Sequence, residues 1–358
     1  MPRVLWFALG SLAVLALIVV TGMAWPGAPD DQVPRIQGIT LDSVSDPGMD
    51  AFVELRALGV THVTVIPYGF TPRDQPNELR FNTDARWFTE SDRGITTIDT
   101  RLDSLGMHLI IKPQLWLGRG GWTGELAFDT EDGWQRWETQ YRAWMMHYAN
   151  LATRLDAAML VVGTELGAFT QARPDFWRSL IAQVRTVYSG PVTYAGNWYD
   201  DYDQVTFWDA LDYIGVQAYF PLTTDPDPPT DSLQAAWATH RDALAALSAT
   251  ADLPVLVTEL GYRNIAYAAA EPWRWPERGE TTDAAAAALQ SRLYEAAFST
   301  LWDEPWLAGT IIWKWHGDMG HRRAGRASIG FTPQGKPAEA VLAKWYGQPG
   351  EPNARPGE

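Results

Sequence analysis

Two glutamates, Glu165 and Glu259, lie in short segments that are almost identical in sequence. The first segment is VVGTELG at 161–167 and the second is LVTELGY at 256–262. Each is an apolar run, typical of a buried strand, that ends in Thr-Glu-Leu-Gly. A carboxylate at such a place is costly unless it has a partner or a chemical role. Two carboxylates on separate strands are the minimum needed to hydrolyse a glycosidic bond, one as acid/base and one as nucleophile.

The same pair also has a structural interpretation, in which each glutamate forms an ion pair at the mouth of the fold. Lys112 and Lys314 could serve as the partners. The catalytic interpretation predicts instead that the two carboxyl groups face each other across one cleft, about 5–5.5 Å apart as in a retaining enzyme. It also predicts that the charge of Glu259 raises the pKa of Glu165, which then stays protonated near neutral pH.

Short apolar runs alternate with amphipathic stretches between residues 36 and 346, which is typical of βα units around a parallel sheet. Strands are predicted at 36–41, 62–68, 108–116, 158–165, 192–198, 213–219, 255–259 and 309–315. Helices are predicted at 49–58, 96–105, 134–155, 174–188, 232–248, 282–301 and 337–345, with a short connection at 205–211. Eight such units favour an α/β fold with a single (β/α)8 TIM barrel over an open doubly wound sheet.

The longest loops, at 69–89, 117–133, 220–230 and 263–281, follow the C-terminal ends of predicted strands. This asymmetry is expected when the functional face is the C-terminal rim of a barrel. Amides at the strand ends can bond sugar hydroxyls, and aromatic faces can cover the C–H surface of a sugar ring. The candidate substrate-binding residues are Tyr68, Lys112, Gln114, Trp116, Asn197, Trp198, Tyr219, Trp313 and Trp315. Asp42, at the end of the first strand, could line the cleft or cap the first βα turn.

Tryptophan is unusually frequent, with 19 residues in the chain. About half are expected in the core, and those near strand ends and in loops suit stacking on sugar rings. Trp116 and Trp122 flank a glycine-rich segment at 118–121, and they could form a substrate platform or pack against the following helix. Trp273 and Trp275, in a proline-containing loop, are further candidates for a sugar subsite.

Composition excludes several classes of function. The formal net charge of −15 argues against binding to nucleic acid, which requires a basic face. The absence of cysteine excludes disulfides and thiolate metal sites. His316, Asp318 and His321 form the only His/Asp cluster, but their spacing fits no common ligand pattern, so we expect a hydrogen-bonded loop and no metal or cofactor. No Gly-x-Ser-x-Gly segment occurs, which argues against an esterase.

The two ends of the chain are predicted to lie outside the barrel domain at 36–346. Residues 1–25 contain one arginine and a long apolar run, which indicates a signal peptide or an N-terminal membrane anchor. Residues 26–35 are predicted to be a linker and residues 347–358 a disordered tail. The sequence therefore predicts an exported protein, secreted or membrane-anchored, and we expect a monomer.

Glutamates at the ends of the fourth and seventh strands are the mark of a large clan of retaining (β/α)8 glycosidases. Within this clan the sequence resembles glycoside hydrolase family 113, whose characterised members are β-1,4-mannanases. The likeness is carried by GTEL at 163–166, TELGY at 258–262 and IWKW at 312–315, and it spans the barrel.

The resemblance implies specific roles for residues of this chain. Glu165 would be the acid/base, Glu259 the nucleophile, Tyr219 a residue that steadies the nucleophile, and Trp313 the floor of a sugar subsite. One departure is Thr164, because much of the clan has asparagine immediately before the acid/base. In the clan that asparagine usually bonds the 2-hydroxyl of the sugar. Here either Thr164 would take its place, or the amide of another residue, such as Asn197, would make the contact.

The leading hypothesis is a retaining endo-glycosidase acting on a β-linked hexose polymer, most consistent with β-1,4-mannan. One alternative is another β-glycosidase of the same clan, acting on glucan or on oligosaccharides. A second is a non-catalytic, membrane-tethered barrel that binds carbohydrate. The joint presence of both glutamates favours an enzyme, since a binding protein needs neither.

Overall fold

The protein forms a closed barrel of eight parallel strands, as seen in a computed structural model that describes residues 35–81, 83–84, 87–118, 120–318 and 329–347. Successive barrel strands pair with each other, and the eighth pairs with the first to close the barrel. In chain order the strands are Ile36–Asp42, His62–Val65, His108–Ile111, Met159–Thr164, Val192–Asn197, Tyr213–Gln217, Val255–Leu260 and Leu307–His316. The predicted (β/α)8 barrel is confirmed.

Two hydrophobic layers follow from the alternation of side chains along each strand. A small cluster fills the interior of the barrel, and it consists of Ile36, Ile110, Met159, Val161, Ala195, Leu256 and Ile311. The residues between them, such as Leu160 and Val162, belong to a larger layer between the strands and the surrounding helices. Strands buried on both faces explain why they appear in the sequence as nearly continuous apolar runs.

Helices connect the strands and cover the outside of the barrel. They span Asp50–Ala57, Asp92–Ser104, Glu131–Arg154, Gly167–Ala172, Pro174–Arg185, Thr230–Ala251, Ala284–Leu301 and Pro337–Tyr346. The connection at 205–211 holds only a 3₁₀ turn, Trp208–Ala210. All of the predicted helices are present with shifted ends, whereas Gly167–Ala172 was not predicted.

Two predicted strands are each interrupted by a proline. The barrel strands end at Val65 and Ile111, close to Pro67 and Pro113, which have no N–H to donate to a sheet. The chain then resumes as Tyr68–Thr71 and Gln114–Leu117, which pair in parallel and bind a two-residue strand, Arg80–Phe81. This small sheet at the rim carries three of the predicted site residues.

An extra residue in the seventh barrel strand determines which way Glu259 faces. Val257 pairs with Val216, but Glu259 pairs with the very next residue, Gln217, so the register shifts by one residue. Val257 belongs to the outer layer, and strict alternation would therefore place Glu259 on the outside as well. The bulge at Thr258 instead puts Glu259 on the same face as Gln217, inside the rim.

Within the described residues, none of the helices combines the length and apolarity required to cross a bilayer. The predicted signal or anchor segment at 1–25, the linker up to residue 34 and the tail from residue 348 lie outside the described residues.

Candidate active site

Three polar side chains from neighbouring strands lie at one level of the barrel rim. Asn197 of the fifth strand pairs with Gln217 of the sixth, which pairs with Glu259 of the seventh. Glu165 follows the fourth strand, and its backbone N–H donates to the carbonyl of Ala195 at 2.9 Å. The C-terminal ends of the fourth to seventh strands therefore bring both glutamates and two amides together.

The carboxylate of Glu259 is buried and is surrounded by donors. Oε1 accepts from the ammonium of Lys112 and from Nε2 of Gln114, the latter at 3.0 Å. Oε2 accepts from the hydroxyl of Tyr219 at 2.6 Å. Burial and the charge of Glu259 raise the pKa of Tyr219 well above its ordinary value, so this hydroxyl keeps its proton and acts as a donor. The donors hold the carboxylate in one orientation.

The carboxyl group of Glu165 has a different environment. Its Oε1 accepts from Nδ2 of Asn197 at 2.6 Å, and neither lysine of the structural interpretation bonds to it: Lys112 binds Glu259, and Lys314 binds Asp42. Burial, and then the negative charge of Glu259, raise the pKa of Glu165 to about 7. The backbone of Glu165 is left-handed, with φ of 51°, which is uncommon for a residue with a Cβ and is often found at functional sites.

The side-chain amide nitrogen of Gln217 lies between the two carboxyl groups and so limits the distance between them. The Gln217 amide satisfies its surroundings only with Nε2 toward the cleft, 2.9 Å from Oε2 of Glu259 and 2.9 Å from Oε1 of Glu165. These two oxygens therefore lie at most about 5.8 Å apart, twice 2.9 Å. In an inverting glycosidase the two carboxyl groups are about 6.5–9.5 Å apart, so this spacing suits a retaining pair.

The buried carboxyl group of Asp201 holds the backbone segments next to Glu165 and Asn197 in place. Oδ2 of Asp201 accepts from the backbone N–H of Asn197 and from the hydroxyl of Tyr194, both at 2.9 Å. The same hydroxyl accepts from the backbone N–H of Leu166 at 2.7 Å. Asp201 thus ties the residue after Glu165 to the strand that carries Asn197. Burial raises the pKa of Asp201 to about 6.

Other predicted site residues line the rim around this centre. Tyr68 is half-buried, and burial together with the charge of Glu259 raises its pKa far above its ordinary value. Its ring makes an edge contact with Trp116, which is 60% exposed. The ring of Trp313 lies 5.7 Å from the ammonium of Lys112 and 5.3 Å from that of Lys314.

Two predicted substrate contacts occupy other positions. Lys112 is fully buried, so it meets Glu259 rather than the open cleft. Trp315 is 3% exposed and packs in the outer hydrophobic layer. The eighth strand contains an extra residue between Ile312 and Trp315 relative to the first strand, and this bulge prevents Trp313 and Trp315 from sharing a face.

A second charged group lies beside the centre, between the first and eighth strands. Asp42 lies at the rim and forms an ion pair with Lys314. Its Oδ2 also lies 3.5 Å from Nδ1 of His316. Glu90 is close by, and burial and the charge of Asp42 raise its pKa to about 7. Across the described ranges no group of three or more His, Asp or Glu side chains could hold a metal ion; His321 lies outside them.

Two contributors are not among the candidate catalytic and substrate-binding residues given above. Gln217 stands at a strand end, but nothing marks it above other strand-end amides until the bulge at Thr258 places it beside Glu259. Asp201 belongs to an acidic run, DDYD at 200–203, shortly after the fifth strand. Such a run at the functional rim is a usable signal, because several like charges close together are unfavourable without a bonding role.

Comparisons with known proteins identify the family of the chain. The family model described as Glycoside Hydrolase Family 113 matches residues 44–345. The β-mannanase AaManA from Alicyclobacillus acidocaldarius, solved in complex with ManMIm, is 28% identical with a TM-score of 0.76, and the match covers 88% of this chain and 97% of that one. A family 113 β-1,4-mannanase, solved as a complex, is 26% identical with a TM-score of 0.72, over 87% and 98% of the two chains.

A family 5 mannosidase from Rhizomucor miehei shares the fold, with a TM-score of 0.56 and 11% identity over 87% of this chain and 92% of that one. No curated protein sequence matches the chain significantly. The family match covers most of the barrel, including both glutamates and the residues bonded to them. This chain therefore belongs to glycoside hydrolase family 113, and it is a glycoside hydrolase.

Proposed function

We propose that the protein is a retaining endo-β-1,4-mannanase, with Glu165 as acid/base and Glu259 as nucleophile. The observation that carries the mechanism is the Gln217 amide nitrogen, which lies 2.9 Å from an oxygen of each glutamate. This bounds the two oxygens to at most about 5.8 Å, below the separation of about 6.5–9.5 Å with which an inverting enzyme admits a water molecule.

In the first step an oxygen of Glu259 attacks the anomeric carbon while the bond from that carbon to the leaving oxygen breaks. Glu165 gives its proton to the leaving oxygen, which departs as a sugar hydroxyl. In the second step Glu165, now a carboxylate, takes a proton from water. The water oxygen bonds to the anomeric carbon and Glu259 is released. The two displacements leave the anomeric carbon with its original configuration, and Glu165 ends the cycle protonated again.

The different surroundings of the two glutamates support this division of labour. Glu259 accepts from an ammonium, an amide and a phenol, and an ionised carboxylate can accept all of these bonds. Glu165 has a pKa raised to about 7, so a large fraction carries the proton that the first step requires. Asn197 is bonded to Glu165 at the centre of the site, so we assign the contact with the sugar 2-hydroxyl to Asn197 rather than to Thr164.

The proposed substrate rests on the family relatives. AaManA and the second family 113 structure are both described as β-mannanases, and the match to this chain covers nearly the full length of each. Mannan and glucan differ in the orientation of one hydroxyl. A panel of mannan, glucomannan, cellulose and xylan, with product analysis and the Glu259→Gln variant as a blank, tests the proposal. Release of oligosaccharides from mannan is expected, whereas preferential cleavage of cellulose would replace the mannanase assignment with a glucanase, and no product from any polymer would favour a binding protein.

The pH dependence of the reaction provides a second test. Because Glu165 must be protonated to donate and its pKa is raised to about 7, kcat/KM on mannan oligosaccharides is expected to fall as the pH rises through about 7. Asn197 bonds to the carboxyl group and lowers its pKa, so in Asn197→Ala this alkaline limb is expected to move to higher pH. Profiles between pH 4 and 9 measure both. A limb near pH 4.5 in the unaltered enzyme would contradict the proposed acid.

We also propose that the chain is exported, on the strength of the apolar run within residues 1–25. Fractionation of cells that express the full chain, compared with a variant lacking residues 2–25, tests this. Equal amounts of both proteins in the cytosol would reject export.

A further inference from the structure

Four aromatic side chains form a continuous row along the rim, which we call the aromatic row: Trp122, Tyr199, Trp198 and Trp273. Ring centroids are 6.4 Å apart between Trp122 and Tyr199, 5.5 Å between Tyr199 and Trp198, and 4.7 Å between Trp198 and Trp273. Trp122 is 39% exposed, Tyr199 58% and Trp273 41%. Adjacent exposed aromatic rings are unfavourable in water and usually mark a binding surface.

The row passes over the strand that carries Glu165. Trp122 belongs to the loop after the third barrel strand, and Tyr199 to the loop after the fifth, so their contact spans the end of the fourth. Trp198 directly follows Asn197, whose amide bonds Glu165 at 2.6 Å. The row therefore lies on the side of the cleft from which Glu165 approaches the substrate.

Contacts with Phe220, Arg263 and Gly124 fix the positions of three of the rings. Trp198 packs edge-on against the buried ring of Phe220, with centroids 6.4 Å apart. The guanidinium of Arg263, which is buried, donates to the backbone carbonyl of Trp273 at 3.3 Å. Trp122 lies flat on Gly124, where an added Cβ would come within 2.4 Å of the indole ring. A glycine is needed at that position for the ring to lie there.

We propose that the aromatic row binds the leaving-group part of the polysaccharide, with at least two β-linked hexose units stacked on it beyond the scissile bond. The inference rests on the proposed function, because the acid/base protonates the leaving oxygen and so identifies the leaving-group side. Flat apolar rings match the C–H faces of hexoses, and successive rings along one rim match successive units of a chain. A row of this length suits an enzyme that cuts inside a polymer.

The test compares a substrate that can place sugar units on the leaving-group side with a substrate that cannot. Mannohexaose can extend along the aromatic row, whereas β-mannobiosyl fluoride has a leaving group with no ring to stack. In Trp122→Ala and Trp273→Ala, kcat/KM for mannohexaose is expected to fall about 5–10-fold each, and it should change less than about twofold for the fluoride. The control is Trp306→Ala, because Trp306 immediately precedes the eighth strand at the opposite end of the barrel, and this change should leave the ratio of the two values unchanged.

Two further measurements separate binding from folding and from chemistry. Gly124→Ala keeps the Trp122 side chain but displaces its ring, so it is expected to lower the mannohexaose value in the same way. In a Glu165→Gln background, which slows cleavage of the substrate during the titration, calorimetry with mannohexaose is expected to show a weaker Kd by about 5–10-fold for each row variant.

The outcomes distinguish the inference from the proposed function. Cleavage of the fluoride with no selective loss on mannohexaose, or an equal loss on both substrates in variants whose thermal unfolding matches that of the unaltered enzyme, would overturn the role of the row. If the unaltered enzyme cleaves neither substrate, the mannanase proposal itself fails. Because activity on the fluoride reports a folded catalytic centre, a variant that has simply lost its fold would show loss on both.

Discussion

Replacing Glu259 with glutamine is expected to lower kcat on mannan oligosaccharides by about 10⁴-fold or more. The variant keeps nearly the same shape but has no carboxylate to form the glycosyl-enzyme, and losses of this size are typical when a nucleophile is removed. Steady-state kinetics with mannohexaose and with an activated β-mannosyl fluoride measure the effect. The loss should extend to both substrates, because a better leaving group does not replace the missing nucleophile.

Loss of fold must be separated from loss of chemistry in this variant. Lys112 is fully buried against Glu259, and removing one partner of a buried ion pair costs about 3–5 kcal/mol. The double variant Lys112→Met/Glu259→Gln replaces both charges, and it is expected to recover most of the lost stability in thermal unfolding without recovering activity. Recovery of turnover in the double variant would show that the single change acts through stability, and Glu259 would not be the nucleophile.

Replacing Glu165 with alanine is expected to give a different kinetic pattern. Turnover of mannohexaose should fall by about 10²–10⁴-fold, because the leaving oxygen is no longer protonated. A fluoride leaving group needs little protonation, so the glycosyl-enzyme still forms and then waits for a base to activate water. Azide, which attacks without a base, is expected to restore turnover of the fluoride and to give the β-glycosyl azide.

The azide product also tests which glutamate has which role. Rescue of a Glu259→Ala variant should instead give the α-glycosyl azide, because azide then displaces the leaving group directly from the opposite face. Glu165→Gln is the matched control for size, and its alkaline pH limb near 7 should disappear together with the carboxyl group. If leaving-group quality makes no difference to the Glu165 variants, the proposed roles must be exchanged.

Much of the barrel could be predicted from the sequence because its strands are buried on both faces and its helices have one apolar face. The errors have local causes. The second and third predicted strands were too long because apolar residues continue past Pro67 and Pro113, while the hydrogen bonds of the barrel do not. The short helix Gly167–Ala172 has too few turns to show a periodic pattern.

The candidate site was predicted as a set of strand ends, and the structure brings Glu165, Asn197, Tyr219 and Glu259 together. Facing directions could not be predicted where the strands bulge. Trp315 was expected in the cleft because it stands at the end of the eighth strand, and an extra residue in that strand turns its side chain to the outer layer. The burial of Lys112 is likewise a tertiary property, since the residue stands at a strand end like the others.

The two Thr-Glu-Leu-Gly segments, which look like copies in the sequence, differ in backbone geometry. Glu165 directly follows its strand and itself has a left-handed backbone conformation. Glu259 lies within its strand and faces inward because of the bulge at Thr258. Duplication of a half-barrel would place equivalent segments four strands apart, and these are three apart. The likeness is therefore not the repeat that duplication of a half-barrel would produce, although the leucine of each segment, Leu166 or Leu260, is anchored in the outer layer. The same four residues therefore place their carboxylate differently in the two strands, and the surrounding strand register, not the tetrapeptide, determines how each carboxyl group faces the cleft.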